Sequence, residues 1–212
     1  MRVKTVRSSI PQLIELKLTE IRIGGVRHFT AVIRDVTERK QAEERIERLA
    51  HYDGLTDLPN WMLSYHRISQ AINLAKRDPQ VLAVLDLDRF KTVNDTLVYD
   101  AGGELLKEVA GKIRHQVRES DTVARIGGDE FTVLLPEIAS RQDAAQVAEK
   151  LIKALSTSFH LSWQNQHVCI GASVCIASYP ADAQNVDTLI KLADAAMYNA
   201  KQDRNSFRFC GA

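Results

Sequence analysis

Two glycines followed by two carboxylates, Gly127-Gly128-Asp129-Glu130, are the residues of this sequence best suited to chemistry. They separate two apolar runs, 122–126 and 131–135. This order predicts strand, tight turn and strand, because glycines supply the positive φ values that a two-residue hairpin needs. Glycines also let phosphate groups approach the backbone closely. Asp129 and Glu130 offer hard oxygen ligands suited to Mg²⁺. The four residues alone are equally typical of a solvated hairpin tip with two surface acids.

A second pair of acids ends the continuous apolar run 81–87. A buried strand ending in carboxylates would hold them rigidly at a sheet edge. We expect Asp86 to share a site with the hairpin and Asp88 to be its structural partner on the opposite face of the strand. Lys91 follows as a mobile point charge for phosphate oxygens. Alone, such a pair is often a capped turn, but together with the hairpin acids it predicts a two-metal clamp for a triphosphate.

Helical and strand patterns alternate after His51 and predict an α/β fold with a mixed sheet covered by helices. Helices are expected after Pro59 and at 104–117, 142–155 and 186–201. Besides the strands already described, we expect strands at 168–177 and 207–209.

The first 50 residues predict a separate, smaller region. Residues 10–36 alternate between apolar and polar types around Gly24-Gly25, which predicts a β-hairpin with one buried face. Residues 37–50 predict a charged connecting helix capped by Asp35 or Thr37. Its thin apolar stripe is compatible with pairing to a second copy of the helix or with packing on the body of the chain.

Composition narrows the class of protein. The 212 residues are 45% hydrophobic and 26% charged with a net charge of +1, which is typical of a soluble globular protein. The near-neutral charge argues against a protein that mainly binds nucleic acid, because such binding usually requires a concentrated basic face. We expect neither a membrane segment nor a signal peptide, because no apolar run reaches the required length. The odd number of cysteines, Cys169, Cys175 and Cys210, predicts reduced thiols in a cytoplasmic protein.

Several motifs in the same order resemble the GGDEF family of diguanylate cyclases. They are Gly127 to Phe131, Asp86 to Lys91 followed by Asn94-Asp95, and Asp53 to Asn60. The resemblance covers residues 51–212 and implies a ferredoxin-like βαββαβ core of the nucleotide-cyclase type. It also implies a signalling nucleotidyltransferase that condenses two GTP into cyclic di-GMP and releases two pyrophosphates. Two domains, each holding one GTP, would have to meet as a homodimer.

The resemblance implies roles for individual residues. Asp86, Asp129, Glu130 and the backbone carbonyl of Leu87 would hold Mg²⁺ or Mn²⁺. Asp129 would be the general base near the 3′-hydroxyl, and Glu130 and Lys91 would assist catalysis. Substrate binding would involve Phe90, Asn94, Gly127, Gly128 and Lys201, with Asn94 on the guanine.

Arg118 and Asp121 match the family's inhibitory product site, where such a pair binds cyclic di-GMP. An Arg-Asp pair at this spacing is otherwise a local surface salt bridge of little energetic value. The sequence spacing between this pair and the glycine hairpin favours the product site.

Residues 1–36 resemble the C-terminal end of a PAS sensor domain, with 37–50 as its exit helix and linker. The matching stretch is Gly25 to Lys40. The strands and helices that would enclose a sensor ligand do not precede it.

The sequence departs from the family pattern between Val98 and Gly103. In the family pattern, the position of Gly103 is an aspartate that would accept hydrogen bonds from the guanine. The loss of one such charge-assisted hydrogen bond costs roughly 1.5–3 kcal/mol of binding free energy. Smaller departures are Trp61 in place of an arginine, Cys175 in place of a glycine, and a missing glycine between Lys201 and Arg204. The leading hypothesis is a product-inhibited diguanylate cyclase whose activity Gly103 reduces. The alternative is a silent domain that binds GTP or cyclic di-GMP and dimerises.

Overall fold

A computed structural model describes residues 13–74, 80–96, 99–162 and 165–210. The chain divides into two compact units, with the boundary after Ala50. In the N-terminal unit, antiparallel strands β1 (Ile14–Ile23) and β2 (Val26–Asp35) are joined at Gly24-Gly25, and helix α1 (Thr37–His51) follows. Asp35 Oδ1 accepts a hydrogen bond from the Thr37 N–H at 2.9 Å, so the predicted cap is present. Residues 10–12 of the predicted hairpin lie outside the described ranges.

The predicted burial of one hairpin face is wrong. One face of the ribbon is apolar, because Leu16 and Leu18 lie opposite Ile33 and Ala31. Every residue of both strands is nevertheless exposed. The reason is that no described residue of this unit forms a second layer over the ribbon.

The second unit is built on a five-stranded sheet with the strand order β4-β5-β3-β8-β9. In that order the strands are β4 (Thr122–Gly127), β5 (Glu130–Leu135), β3 (Gln80–Asp88), β8 (Gly171–Tyr179) and β9 (Phe207–Phe209). The first four are antiparallel to their neighbours, and β9 runs parallel to β8. Helices α3 (Phe90–Thr96) and α4 (Tyr99–Gln116) connect β3 to β4, and α5 (Arg141–Leu155) lies between β5 and β8. This is the predicted ferredoxin-like βαββαβ core.

Both faces of the sheet are covered by helices, which explains the continuous apolar run in β3. Alternate residues such as Leu85 pack with α4 and α5 in one hydrophobic cluster. The intervening residues, such as Val84, pack on the other face with α2 (Trp61–Leu74) and α6 (Val186–Asp203). The central strand is therefore buried on both sides, and only its end can present polar side chains.

The structure differs from the predicted elements in three places. The single strand expected at 168–177 is divided into β7 (Gln166–Val168), which pairs with β6 (Phe159–Leu161), and β8. The short helix α3 was not predicted, and α4 begins at Tyr99 rather than near Glu104. Among the helices of the described ranges, none has the length and hydrophobicity of a membrane span.

Candidate active site

Asp86 and Glu130 are directly opposed in the antiparallel pairing of β3 with β5. Directly opposed residues of such a pair point to the same side of the sheet. Both side chains line a surface cavity of about 470 Å³. The acid that ends the buried strand and an acid of the glycine hairpin therefore share one site, as the sequence predicted.

Asp88 lies on the same face as Asp86, so the prediction of opposite faces is wrong. Side chains alternate along a strand, and two residues that are two positions apart share a face. The carboxylate of Asp88 is buried and accepts hydrogen bonds from Ser173 Oγ at 2.8 Å and from the Asn205 N–H at 2.7 Å. Asp88 is thus a structural partner, as expected, but one that anchors the end of α6.

Lys201 of α6 forms an ion pair with one of these acids, with its Nζ 2.8 Å from Asp86 Oδ2. Asp86 is only 4% exposed. Burial raises the pKa of Asp86 to about 6, against the hydrogen bond and charge of Lys201, and the Asp129 and Glu130 carboxylates add to the rise. The hydrogen bond to Asp86 raises the pKa of Lys201. The site therefore holds more negative charge than one ammonium compensates.

The hairpin turn between β4 and β5 consists of Gly128 and Asp129, and of its residues only Gly128 has a positive φ, +44°. The expectation that both glycines supply positive φ is therefore wrong. Gly127 instead belongs to β4, where a register shift leaves Ile126 unpaired as a bulge. The Asp129 carbonyl accepts a hydrogen bond from the Leu87 N–H at 3.2 Å. This bond fixes the turn to the end of β3, one residue from Asp86.

Arg125 supports the turn, a role that was not predicted from the sequence. Its Nε and Nη2 donate to the Gly128 carbonyl at 3.0 and 2.6 Å, and its Nη1 lies 3.0 Å from Asp53 Oδ1. Asp53 also accepts hydrogen bonds from the Thr56 N–H and Oγ1. Burial opposes ionisation of Asp53, but the bonds from Thr56 and Arg125 outweigh it and lower the pKa of this carboxyl. The signal in the sequence was an arginine just before the two glycines, because its guanidinium can donate hydrogen bonds to two acceptors at once.

The cavity has further walls from α2 and α6. Trp61 begins α2, and Asp194, Met197 and Tyr198 stand on the face of α6 that also carries Lys201. Burial raises the pKa of Asp194. The helical spacing of these α6 residues was visible in the sequence, but their direction toward Asp86 depends on how α6 packs.

Three of the residues predicted to act on the substrate, Phe90, Lys91 and Asn94, lie on α3, outside the walls described for this cavity. Lys91 is exposed, and Phe90 and Asn94 are half-buried. A side chain at Gly102 of α4 would collide with Asn94 Oδ1, whereas a Cβ at Gly103 would meet only Leu55 Cδ1, at 3.6 Å. Val98, where the departure from the family pattern begins, lies outside the described residues.

Arg118 and Asp121 line a second cavity of about 450 Å³, together with Gln146 and Lys150 of α5. The Arg118 N–H donates to Asp121 Oδ2 at 2.8 Å, and the Arg118 side chain is exposed. Burial raises the pKa of Asp121, although its bond with Arg118 opposes the shift. The contact given for the pair is thus a bond from the Arg118 backbone to the Asp121 carboxylate, which orders the loop, and differs from the surface salt bridge considered as the alternative.

The missing glycine after Lys201 has a structural consequence. α6 ends at Asp203, and both Arg204 and Asn205 adopt a φ of +46°. Residues with a side chain rarely occupy this region, although asparagine tolerates it better than most. The Asn205 N–H then reaches Asp88, as described above. The chain thus completes the turn without glycine at the cost of local strain.

The donor set at this edge of the sheet fits a hard divalent cation such as Mg²⁺. Carboxylate and carbonyl oxygens are its usual ligands, and the Asp129 and Glu130 carboxylates add to the rise in the pKa of Asp86 that burial causes. Within the described ranges, no three His, Cys, Asp or Glu side chains are gathered closely enough to hold a metal ion as they stand. The fit therefore lies in the chemistry and shared location of Asp86, Asp129 and Glu130.

A family model and a protein of known type both match this chain over most of its length. The family model described as "Diguanylate cyclase, GGDEF domain" matches residues 50–206. The chain is 49% identical over 176 residues to the bifunctional diguanylate cyclase/cyclic di-GMP phosphodiesterase MucR of Pseudomonas aeruginosa. This match covers 82% of the chain but only 25% of MucR, so the chain spans about a quarter of that relative.

Two solved structures resemble the chain in fold. The GGDEF domain of TpbB from Pseudomonas aeruginosa superposes with a TM-score of 0.73 and 41% identity, covering 76% of this chain and 94% of that domain. The coiled coil and GGDEF domain of DgcB from Caulobacter crescentus, solved in complex with c-di-GMP, gives a TM-score of 0.73 with 28% identity. That match covers 82% of this chain and 93% of the other.

Proposed function

The chain belongs to the GGDEF diguanylate cyclase domain family, and we propose that it condenses two GTP into cyclic di-GMP with release of two pyrophosphates. The observation that carries the proposal is the direct opposition of Asp86 and Glu130 across β3 and β5, with Lys201 in the same cavity. This arrangement places carboxylates and a cation where a triphosphate and its metal would be gripped.

Mg²⁺ or Mn²⁺ would be held by Asp86, Asp129, Glu130 and the Leu87 carbonyl. When bound, such an ion neutralises phosphate charge and lowers the pKa of a coordinated hydroxyl. The Leu87 N–H already bonds to the Asp129 carbonyl. The backbone thus keeps the hairpin carboxylates near the end of β3 before any substrate arrives.

The remaining groups would bind and orient the substrate. Asp129 would take the proton of the 3′-hydroxyl, and Lys91 and Lys201 would stabilise the charge that develops on the phosphate oxygens. Asn94 would hydrogen-bond the guanine. Gly127 and Gly128, both exposed and without side chains, would let the phosphates approach the turn.

The reaction joins two GTP molecules, so two domains must face each other. We propose a homodimer in which each domain holds one GTP and each hairpin contributes to closing the ring. Because GTP is a cytoplasmic substrate, we also propose that the domain works there.

Product inhibition would act through the second cavity. Arg118 offers an exposed fork of donors for phosphate and guanine, and Lys150 adds a positive charge to the same walls. The cavity is lined by different residues from the first, so product and substrate would bind separately.

The alternative function is a binding and dimerisation module that holds GTP or cyclic di-GMP without turnover. Gly103 favours it, because this position of α4 has no side chain to accept hydrogen bonds from guanine.

We further propose that residues 1–36 are the end of a PAS-like sensor and 37–50 its linker. The exposed apolar face of the β1–β2 ribbon supports this proposal, because another layer of a domain normally covers such a face.

The decisive experiment is incubation of the dimeric protein with GTP and Mg²⁺, followed by chromatography for cyclic di-GMP. The unmodified chain is expected to form product, Asp129→Ala to form none, and Glu149→Ala, which removes an exposed carboxylate of α5, to behave like the unmodified chain. Bound GTP without product at high protein concentration would establish the module instead.

A further inference from the structure

Two buried thiols lie in contact at the C-terminal edge of the sheet. Cys175 of β8 and Cys210, the residue after β9, have their sulfur atoms 3.3 Å apart. Both are free thiols, with exposures of 0% and 2%. The backbone also joins the two segments here, since the Cys210 N–H donates to the Ile176 carbonyl at 2.8 Å. Neither thiol has a part in the proposed cyclase chemistry.

We propose that Cys175 and Cys210 form an oxidisable dithiol, which a hydroperoxide converts to an intramolecular disulfide. An S–S bond is ~2.05 Å long, so the sulfurs need to approach by only about 1 Å. The two residues are held by paired strands, which favours closure within the chain over reaction with other molecules.

The reaction is balanced with the peroxide as the oxidant. The Cys210 sulfur attacks one peroxide oxygen and forms the S–O bond of a sulfenic acid, the O–O bond breaks, and the departing hydroxide takes the Cys210 proton and leaves as the first water. The Cys175 sulfur then attacks the Cys210 sulfur, the S–O bond breaks, and the second water carries away the Cys175 proton. Two thiols and one hydrogen peroxide thus give one disulfide and two waters.

Cys210 is the better nucleophile of the pair. The hydrogen bond with Cys175 lowers the pKa of Cys210, against the effect of burial, whereas the same bond raises the pKa of Cys175. Cys210 also follows an edge strand of only three residues, Phe207–Phe209. Local opening of so short a strand would admit the peroxide.

The disulfide would close a loop from 175 to 210 that contains all of α6. Tethering β9 to β8 would restrict the unfolded chain and raise the midpoint of thermal unfolding, by roughly 5–10 °C for a loop of this length. The end of α6 carries Lys201, so the tether would also restrict the helix that reaches Asp86.

The test uses the full chain with Cys169→Ser, because Cys169 is exposed and would react independently. After peroxide treatment and alkylation of the unfolded chain, we expect no free thiol, a mass lower by two hydrogen atoms, and a Cys175–Cys210 cross-linked peptide. The oxidised chain should also unfold at the higher temperature. Cys210→Ala in the same background should show neither the mass loss nor the shift.

Three outcomes would overturn the proposal. The first is that two alkylatable thiols remain after a peroxide dose that fully oxidises Cys169 in the unmodified chain. The second is the addition of oxygen to either cysteine without a cross-link, and the third is the formation of covalent dimers. The comparison of reduced and oxidised Cys169→Ser protein decides the matter even if Cys210→Ala does not fold. The readouts are thiol content and unfolding, so a failure here leaves the proposed cyclase function untouched.

Discussion

Arg125 connects the hairpin turn to the loop that begins the second unit, because it binds Asp53 at 3.0 Å and the Gly128 carbonyl at 2.6 Å. The two side chains are only 12% and 23% exposed. Asp53 and Arg125 are therefore a largely buried ion pair whose second function is to hold the turn next to Asp129. The position of Asp129, the proposed general base, therefore depends on a contact between Arg125 and a residue 72 positions away from it in sequence.

Arg125→Lys keeps the charge but loses the fork that reaches Asp53 and Gly128 together. We expect the free energy of unfolding to fall by about 2 kcal/mol, because the half-buried carboxylate of Asp53 loses part of its charge compensation. Cyclase activity should fall at least about tenfold as the turn loosens. Urea unfolding and product formation measure both effects, and Arg114→Lys, on the exposed end of α4, is the control. Equal losses in the two variants would contradict the assignment.

The lowered pKa of Asp53 predicts a pH dependence of stability. A carboxyl whose pKa is lower in the folded than in the unfolded state stabilises the fold above its ordinary pKa, ~3.9, and loses this contribution as the pH falls through the lowered value. Asp53→Asn should therefore be less stable than the unmodified chain at pH 7, and the difference should shrink in acid below about pH 4. Urea unfolding at both pH values measures it. A constant difference, like that expected for Glu149→Gln, would refute the prediction.

The sequence predicted those parts of the site that follow from local pattern. An apolar strand ending in Asp86 and a glycine turn carrying Asp129 and Glu130 were recognisable because strand and turn chemistry are local. Whether these acids share one site depends on the register of β3 against β5, and that register is set only when the two strands pair. The error on Asp88 was one of strand periodicity, and correct alternation alone would have avoided it.

Other features were beyond reach because several residues decide them jointly. The bulge at Ile126 changed which residues form the turn, and no residue type signals it. Arg125 and Asp53 have no sequence relationship that announces their contact. The contact between Cys175 and Cys210 depends on a parallel pairing of β9 with β8 after a long helix.

Gly103→Asp should restore a guanine acceptor. The site has room, because a Cβ there would meet only Leu55 Cδ1 at an ordinary 3.6 Å. We expect GTP affinity to rise about 10- to 100-fold, as expected for one charge-assisted hydrogen bond. Calorimetry with a non-hydrolysable GTP analogue and Mg²⁺ measures the change.

Gly102→Asp is the matched control for that substitution. It adds the same side chain one residue earlier, where it would collide with Asn94 Oδ1. GTP binding should weaken in this variant because Asn94 must move. If both aspartates changed GTP affinity equally, a general charge effect would replace the specific guanine contact.

Lys201→Met should separate the cation from the acid that it neutralises. Lys201 Nζ lies 2.8 Å from Asp86, so its removal leaves the buried carboxylate without that ammonium and the phosphates without one contact. We expect kcat/KM for GTP to fall at least about tenfold. Lys191→Met removes an exposed lysine from the same helix and should leave kcat/KM unchanged. Similar kinetics in the two variants would exclude a role for Lys201.

Arg118→Ala should weaken cyclic di-GMP binding without abolishing catalysis. Arg118 supplies exposed donors to the second cavity, and its backbone N–H keeps Asp121 in place at 2.8 Å even after the side chain is removed. We expect the Kd for cyclic di-GMP to rise at least about 100-fold, as expected for loss of a bidentate charged contact. Arg118→Lys should bind with intermediate affinity, because it keeps the charge but not the fork. Calorimetry measures the affinities, with Arg114→Ala as the control. Unchanged binding in Arg118→Ala would leave the cavity without its assigned ligand, whereas initial rates that no longer fall with added product would connect the cavity to control of the cyclase.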